Sequence, residues 1–379
     1  MQDKHIPIAI IGIRGLPPLY GGGETASDEL GKRLVERGHD VLVYCRNHNS
    51  EAPRATHYDG MRLVHLPSIH TKNLDTPTHI ILCMIHLIFR EKARVCLLSG
   101  VGTSFIIPFL RLFGRKTVIW ADGQDWKRGK WGSFARWYLK SSAILGCKVS
   151  NGIVTDTTIA HEFYRTELHR KTTYIPYGAN IEQVEDSSEL KKWGVEPGKY
   201  ILFVGRLIPE KGVHYLIEAF EQLDTDYRLL IVGASPYTPD YVEQLKSTRD
   251  PRIGFTGYLF GDGFKQLMKH CRVYVQPSDI EGTSPVLLTA MGYGRPVVVN
   301  GIPENRATIG DAGLAFEPGN VGQLKGILEG ILDDDARLAE LSQKSEDRVR
   351  SHYSWDRITD EFEVLFDALD QGCSPSTSL

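Results

Sequence analysis

Two cations lie five residues apart in the stretch "FVGRLIPEKGVHYLIEAF", Arg206 and Lys211. An apolar strand runs directly into them and an amphipathic run follows, so they fall at the carboxyl end of a strand, beside a helix N-terminus. A guanidinium there offers bidentate contact to oxygen and an ammonium a compact point charge, a pairing that suits a diphosphate. A solvated loop with two charges is the plainer alternative. A second stretch, "SDIEGTSPVLLTAMGYGRPVVV", sets the Glu281 carboxylate and the small residues Gly282, Thr283 and Ser284 ahead of a helix opening at Pro285. The free N–H groups of that helix can hold a phosphate oxygen or a sugar hydroxyl. A third, "LYGGGETASDELGKRLVERGHD", places Gly21, Gly22 and Gly23 before an amphipathic run from Glu24. Consecutive glycines let a ligand approach main-chain N–H groups. They equally make a tight strand-to-helix turn with nothing bound.

Several chemistries are missing. A dinucleotide fold needs GxGxxG after its first strand and an acid ending the second; here the first turn reads "GIRGLPPLYGGGE" and "VLVYCR" ends in Arg46. No GxxxxGK[ST] occurs. The six cysteines are scattered without a CxxC pair, which argues against a zinc site and a disulfide framework and fits a reducing cytoplasm. The acidic run from Asp333 reads as solvated surface. In the N-terminal half, Glu24 is either favoured by the helix dipole or a partner of a bound hydroxyl. Asp122 follows the strand "KTVIWA", where such sheets place function, and is a candidate for base assistance. Trp126 and the basic residues after it could stack on a sugar and grip a pyrophosphate headgroup, or form a solvated loop with buried tryptophans.

These residues need a scaffold of strands and helices. Short β-branched runs, from "IPIAIIGI" to "PVVVNG", alternate with helical ones and come as two sets, which predicts an α/β chain with parallel sheets covered on both faces. At 379 residues two domains are expected, 1–178 and 184–352, with a linker near Gly178 to Val184 and a disordered tail at 372–379. Ile358, Phe362, Leu365 and Phe366 recur at helical spacing, so 355–371 is expected to be a helix; because it comes after the second set is complete, it is expected to pack back on the first domain, a crossing that spacing alone does not show. A net charge of −3 removes nucleic acid as the default partner. "IILCMIHLIF", from Ile80 to Phe89, is too short to span a bilayer; it reads as a buried helix or as an amphipathic face touching a membrane surface.

Taken together, "GIRGLPPLYGGGET", "IPYGAN", "FVGRLIPEKGV", "EGTSPVLLTAMGYGRPVV" and "YSWDRI" resemble the GT-B glycosyltransferases of family 4 over nearly the whole chain. With "DGQDWKRGKW", they resemble the bacterial polysaccharide branch that includes rhamnosyltransferases. The resemblance implies two Rossmann-like domains facing a cleft, donor held by the second and acceptor by the first. It implies a retaining, metal-independent transfer with a nucleotide sugar as co-substrate and no cofactor. Arg206 and Lys211 would hold the diphosphate, with Tyr258, Glu281, Gly282, Thr283, Ser284 and Thr289 in the donor set and Gly21 to Gly23 approaching the phosphates from the other side. Glu24, Asp122, Arg206, Lys211 and Glu281 would be the catalytic set, and Glu24, Asp122 and Trp126 would face a saccharide or lipid-linked acceptor, with peripheral contact at the inner face of the cytoplasmic membrane.

One position departs from the family. Its second glutamate, which binds ribose hydroxyls, is Thr289 here. A deoxyribose donor such as dTDP-rhamnose would lose less from that exchange; substitution by Ser284 or by an ordered water is the alternative. The same architecture also serves nucleotide-sugar epimerases, and a catalytically weak partner subunit would carry the same donor residues.

Overall fold

The computed structural model describes residues 5–18, 21–49, 54–71, 74–121, 126 and 132–372. The chain divides into two compact units, Met1–Tyr177 with Trp355–Leu379, and Gly178–Ser354. The segment from Gly178 to Val184 thus belongs to the second unit instead of standing between two domains.

In the first unit the strands are β1 (Pro7–Ile11), β2 (Asp40–Arg46), β3 (His57–Tyr58), β4 (Met61–Leu66), β5 (Val95–Ser99), β6 (Lys116–Ala121), β7 (Gly152–Thr155) and β8 (Thr173–Tyr174). They form one sheet in the order β3-β4-β2-β1-β5-β6-β7-β8. All pairings are parallel except the short β3–β4 edge. The central strands are apolar on both faces because helices cover both. On one face Ala9, Leu98 and Ile119 share a core with Ile80 and Leu87 of the helix Asp75–Arg90. That helix buries only one stripe: Ile80, Cys83 and Leu87 point inward, whereas Ile81, Ile85 and Phe89 are exposed. The greasy segment is thus a helix buried along one side and exposed along the other.

The helix Trp355–Asp370 lies with the first unit, with Ile358, Phe362 and Phe366 fully buried. Phe362 meets the Trp120 ring at 5.0 Å. Arg37, just past the helix Gly22–Glu36, donates to Asp360 at 2.7 Å and also pairs with Glu363. Apolar contact sets where this helix lies and the ion pairs fix its register.

The second unit contains β9 (Tyr200–Val204), β10 (Arg228–Val232), β11 (Ile253–Gly257), β12 (Val273–Gln276), β13 (Val297–Asn300) and β14 (Leu314–Phe316). The sheet is parallel throughout, in the order β11-β10-β9-β12-β13-β14. This is the doubly wound order, in which the direction of winding reverses between the first and fourth strands. Ile201, Phe203, Leu229 and Ile231 pack against Leu216 and Phe220 from one helix and Leu324 and Leu328 from another.

Among the described residues the cysteines are free and buried, and burial pushes the Cys96 and Cys271 thiols up to about 12. Asp28, on the inner side of the helix Gly22–Glu36, is 7% exposed and one carboxylate oxygen has no hydrogen-bond partner. Burial raises its pKa from 3.8 to about 6, against the pull of Lys32. Between those values the native state holds a proton that the unfolded chain does not, so stability falls as pH rises through this window and stays lower above it. Asp28→Asn should therefore stabilise the first unit by about 2 kcal/mol at pH 7. In thermal unfolding the variant should melt higher than the parent at neutral pH, and the gap should narrow as pH falls from about 6 to 3.8. Identical pH profiles would contradict this.

Candidate functional site

The reversal between β9 and β12 opens a crevice at the carboxyl ends of these strands, where open parallel sheets bind ligands. Residues 205–212 follow β9 and residues 277–284 follow β12. The two loops are stitched together twice. The Asp279 N–H donates to the Glu210 carbonyl at 2.9 Å. Gly212, at φ 62, caps the helix Val213–Glu221 so close to the second loop that a Cβ would lie 2.0 Å from the Pro277 carbonyl oxygen. Both the positive φ and the close approach require glycine.

The stitching brings Lys211 onto Glu281. The ammonium donates to the Glu281 carboxylate in an ion pair whose side chains are 19% and 9% exposed. Arg206 stands exposed at the same end of β9, and its guanidinium makes no hydrogen bond or ion pair among the described residues. The crevice thus presents one open cation, and one cation already held in place by a carboxylate.

A buried polar network supports the second loop. Asp279 accepts from the Asn300 amide at 2.9 Å and from the Tyr215 hydroxyl at 3.3 Å. Asn300 accepts at its carbonyl from Asn305, which in turn accepts from Gln276. Gln276 accepts from the Ser284 hydroxyl at 2.9 Å. Asp279, Gly212 and Gln276 carry only weak signals in the sequence: an acid two residues before Glu281 and a glycine directly after Lys211.

The helix after the second loop is Pro285–Gly292, with Ser284 as its N-cap accepting from the Leu287 N–H. Its hydroxyl is therefore engaged twice, by the cap and by Gln276, which removes the simplest way for Ser284 to stand in for a missing ribose contact. Thr289 donates back to the Pro285 carbonyl at 2.8 Å, so its proton is also spent within the helix. Thr283 is buried and Gly282 half-buried beside them. Tyr258, following the edge strand β11, is 43% exposed and stacks on Phe260.

In the first unit Gly21, at φ 106, caps the helix Gly22–Glu36. The helix starts two residues before Glu24, so Gly22 and Gly23 form its first turn. Gly23 sits near the end of β5, where an added Cβ would be 3.8 Å from the Ser99 hydroxyl. This loop, too, lies where its sheet reverses, between β1 and β5. Glu24 accepts from the Arg14 N–H at 3.3 Å and so clips its helix to the loop after β1. Trp126 departs from a sugar-stacking role: it is 9% exposed, belongs to the first core and packs on Phe163 at 5.6 Å, so its ring is spent on packing. Asp122 lies outside the described residues.

Among the described residues, His48, His70 and Asp75 bring potential metal-ligating atoms within 4.8 Å of one another. The Arg46 guanidinium donates to Asp75 at 2.7 Å and Ser68 donates to its other oxygen. A cation already occupies this carboxylate, which opposes the binding of a second.

Residues 198–334 match the family model described as Glycosyl transferases group 1. This segment is a glycosyl transferases group 1 domain. The glycosyltransferase domain contains Arg206, Lys211, Tyr258, Glu281 and Thr289, and residues 4–180 match a model described as a domain of unknown function, DUF1972. Over 207 residues the chain is 28% identical to the O-antigen chain mannosyltransferase B of Escherichia coli, covering 53% of this chain and 53% of that protein. The chain spans about half the length of this relative and of others it matches. The sucrose-phosphate synthase of Thermosynechococcus elongatus superposes with a TM-score of 0.82 at 19% identity, over 97% of this chain and 100% of the other. The Anabaena protein HepE in complex with UDP-glucose superposes with a TM-score of 0.78 at 18% identity, over 96% and 100%. The fold is GT-B.

Gly212→Ala tests the stitching of the two loops. It should destabilise the second unit by roughly 2 kcal/mol or more, because a strained φ and a backbone clash arise together. Denaturant unfolding would read this as a lower midpoint, whereas an unchanged midpoint would mean that the loops are free to part.

Proposed function

We propose that this chain is a retaining glycosyltransferase that moves a sugar from a nucleotide diphosphate to a saccharide or lipid-linked saccharide in surface-polysaccharide synthesis. The observation that carries this is the pairing of an open guanidinium with a pre-positioned ammonium at the reversal point of the second sheet. As the bond between the sugar's anomeric carbon and the phosphate oxygen breaks, negative charge gathers on the leaving diphosphate. Lys211, held beforehand by Glu281, and the open guanidinium of Arg206 stabilise that charge without a metal. The acceptor hydroxyl forms its new bond from the leaving-group face and its proton passes to a phosphate oxygen, with no covalent sugar–enzyme intermediate. Glu281 holds the ammonium in register. Thr289 replaces a ribose-binding carboxylate, and this favours a deoxyribose donor of the dTDP-rhamnose type. The acceptor is bound by the first unit, with Glu24 and Asp122 as its polar partners, at the inner face of the cytoplasmic membrane.

A thermal-shift panel of UDP, GDP, ADP and dTDP, each with its sugars, tests the donor site. At a hundredfold excess over Kd the chosen nucleotide should raise the melting temperature by about 5 to 10 °C. Lys211→Ala should weaken that nucleotide by about tenfold or more. A flat response to every nucleotide would sink the donor reading. Product analysis with the selected donor then decides between transfer and binding alone. Thr289→Glu should shift preference from dTDP towards the ribonucleotides, and a parent that already prefers UDP would remove the deoxyribose argument.

A further inference from the structure

Three helices cover one face of the first sheet: Asp75–Arg90, Ile107–Leu112 and Ser133–Val149. Their inner sides share one core through Ile80, Leu87, Ile107, Leu110, Ala143 and Cys147. Their outer sides are apolar as well. On the first helix Ile81, Ile85 and Phe89 recur every four residues and are 40%, 44% and 72% exposed. The second adds Phe109 and Leu112, with Phe113 just beyond its end, and the third adds Phe134, Trp137 and Ile144. Phe89 meets Phe113 at 6.2 Å and Phe134 meets Trp137 at 5.9 Å, so exposed rings cluster within and between helices. Nine of the sixteen large apolar side chains exposed among the described residues lie on this face, a concentration that scattered surface hydrophobics do not produce.

The charges on these helices are one-sided. The third helix carries Arg136, Lys140 and Lys148, all exposed, and no acid. The second carries Arg111 and no acid. The first ends in Arg90, and its single acid, Asp75, is neutralised by Arg46. A chain with a net charge of −3 thus presents a cationic, apolar face. We propose that this face docks on an anionic lipid surface. Rings and aliphatic side chains enter the boundary between headgroups and acyl chains, while the long basic side chains reach back to lipid phosphates. A second copy of the chain is the poorer occupant, because like charges would meet across the contact. This docking deepens the lipid-linked acceptor reading and rests on it for its purpose.

Flotation of the intact chain with phosphatidylcholine vesicles, with and without phosphatidylglycerol, tests the proposal. The chain should float with the anionic vesicles and partly release in high salt. The pair Phe134→Ser and Trp137→Ser, and separately the pair Arg136→Glu and Lys140→Glu, should each weaken partition by about tenfold. Both double variants should keep the parent's nucleotide-induced thermal shift, which shows that they are folded. Three results would overturn the proposal: no partition onto anionic vesicles, unchanged partition in both double variants, or apolar substitutions that alter only self-association in sedimentation. Vesicle binding without any nucleotide response would leave this surface standing and the donor reading refuted.

Discussion

The site in the second unit depends on one close contact, the packing of Gly212 on the Pro277 carbonyl. A doubly wound sheet leaves a gap where its connections part to opposite faces, and nothing in sheet pairing brings the loops on the two sides together. Here the gap is bridged by a glycine with no Cβ to hold the chains apart and by the Asp279 N–H bonded to the Glu210 carbonyl. Lys211 directly precedes that glycine and Glu281 lies two residues beyond Asp279. Their ion pair is a consequence of the backbone contact more than its cause, since a largely buried pair recovers little beyond its own desolvation. The backbone holds the geometry and the charges use it.

The polar network beneath the second loop makes the same point from below. Gln276, Asn300 and Asn305 are all but fully buried, so their hydrogen bonds matter, although the Asn300 Oδ1 has no hydrogen-bond partner among the described residues. Their hydrogen bonds to Asp279 and Ser284 fix the loop near its start and at its end, leaving Glu281 between two anchored points. This rigidity has a cost in versatility. Ser284 cannot cap its helix, satisfy Gln276 and also reorient towards a ligand, and Thr289 is turned back onto its own helix. Neither residue therefore leaves a spare hydroxyl donor.

Much of this was legible in the sequence, because buried parallel strands announce themselves as continuous apolar runs and the carboxyl ends of such strands are where function gathers. "YILFVGR" and "CRVYVQPS" therefore located both loops of the site. Their pairing was not legible: Lys211 and Glu281 are seventy residues apart, and only strand order makes them neighbours. The strand Met61–Leu66 escaped notice because Arg62 and His65 interrupt its apolar run, and β3 and β14 are too short to show a period. The helix start at Gly22 was hidden by glycine's usual meaning as a breaker. Trp126 could not be placed, since an aromatic residue near charges reads alike whether its ring is packed inside or open to a ligand. In "IILCMIHLIF" periodicity is silent because both sides of the helix are apolar, one for the core and one for the surface.

In the proposed donor reading, the charges of the crevice let it attract a diphosphate without trapping the product. Counted together, Arg206, Lys211 and Glu281 sum to one positive charge, fewer than a diphosphate carries negative ones. Full neutralisation would stabilise bound substrate and leaving group alike, which lowers the energy of the complex without accelerating the chemical step. Glu281 moderates the ground-state attraction and also spares Lys211 the conformational entropy that a free lysine would lose on binding. Arg206 makes no hydrogen bond or ion pair among the described residues, so in the proposed transfer its guanidinium gives up no such contact as charge shifts onto the leaving oxygens, and the gain falls where the barrier is. A site with two unpaired cations would bind a diphosphate more tightly and release it more slowly.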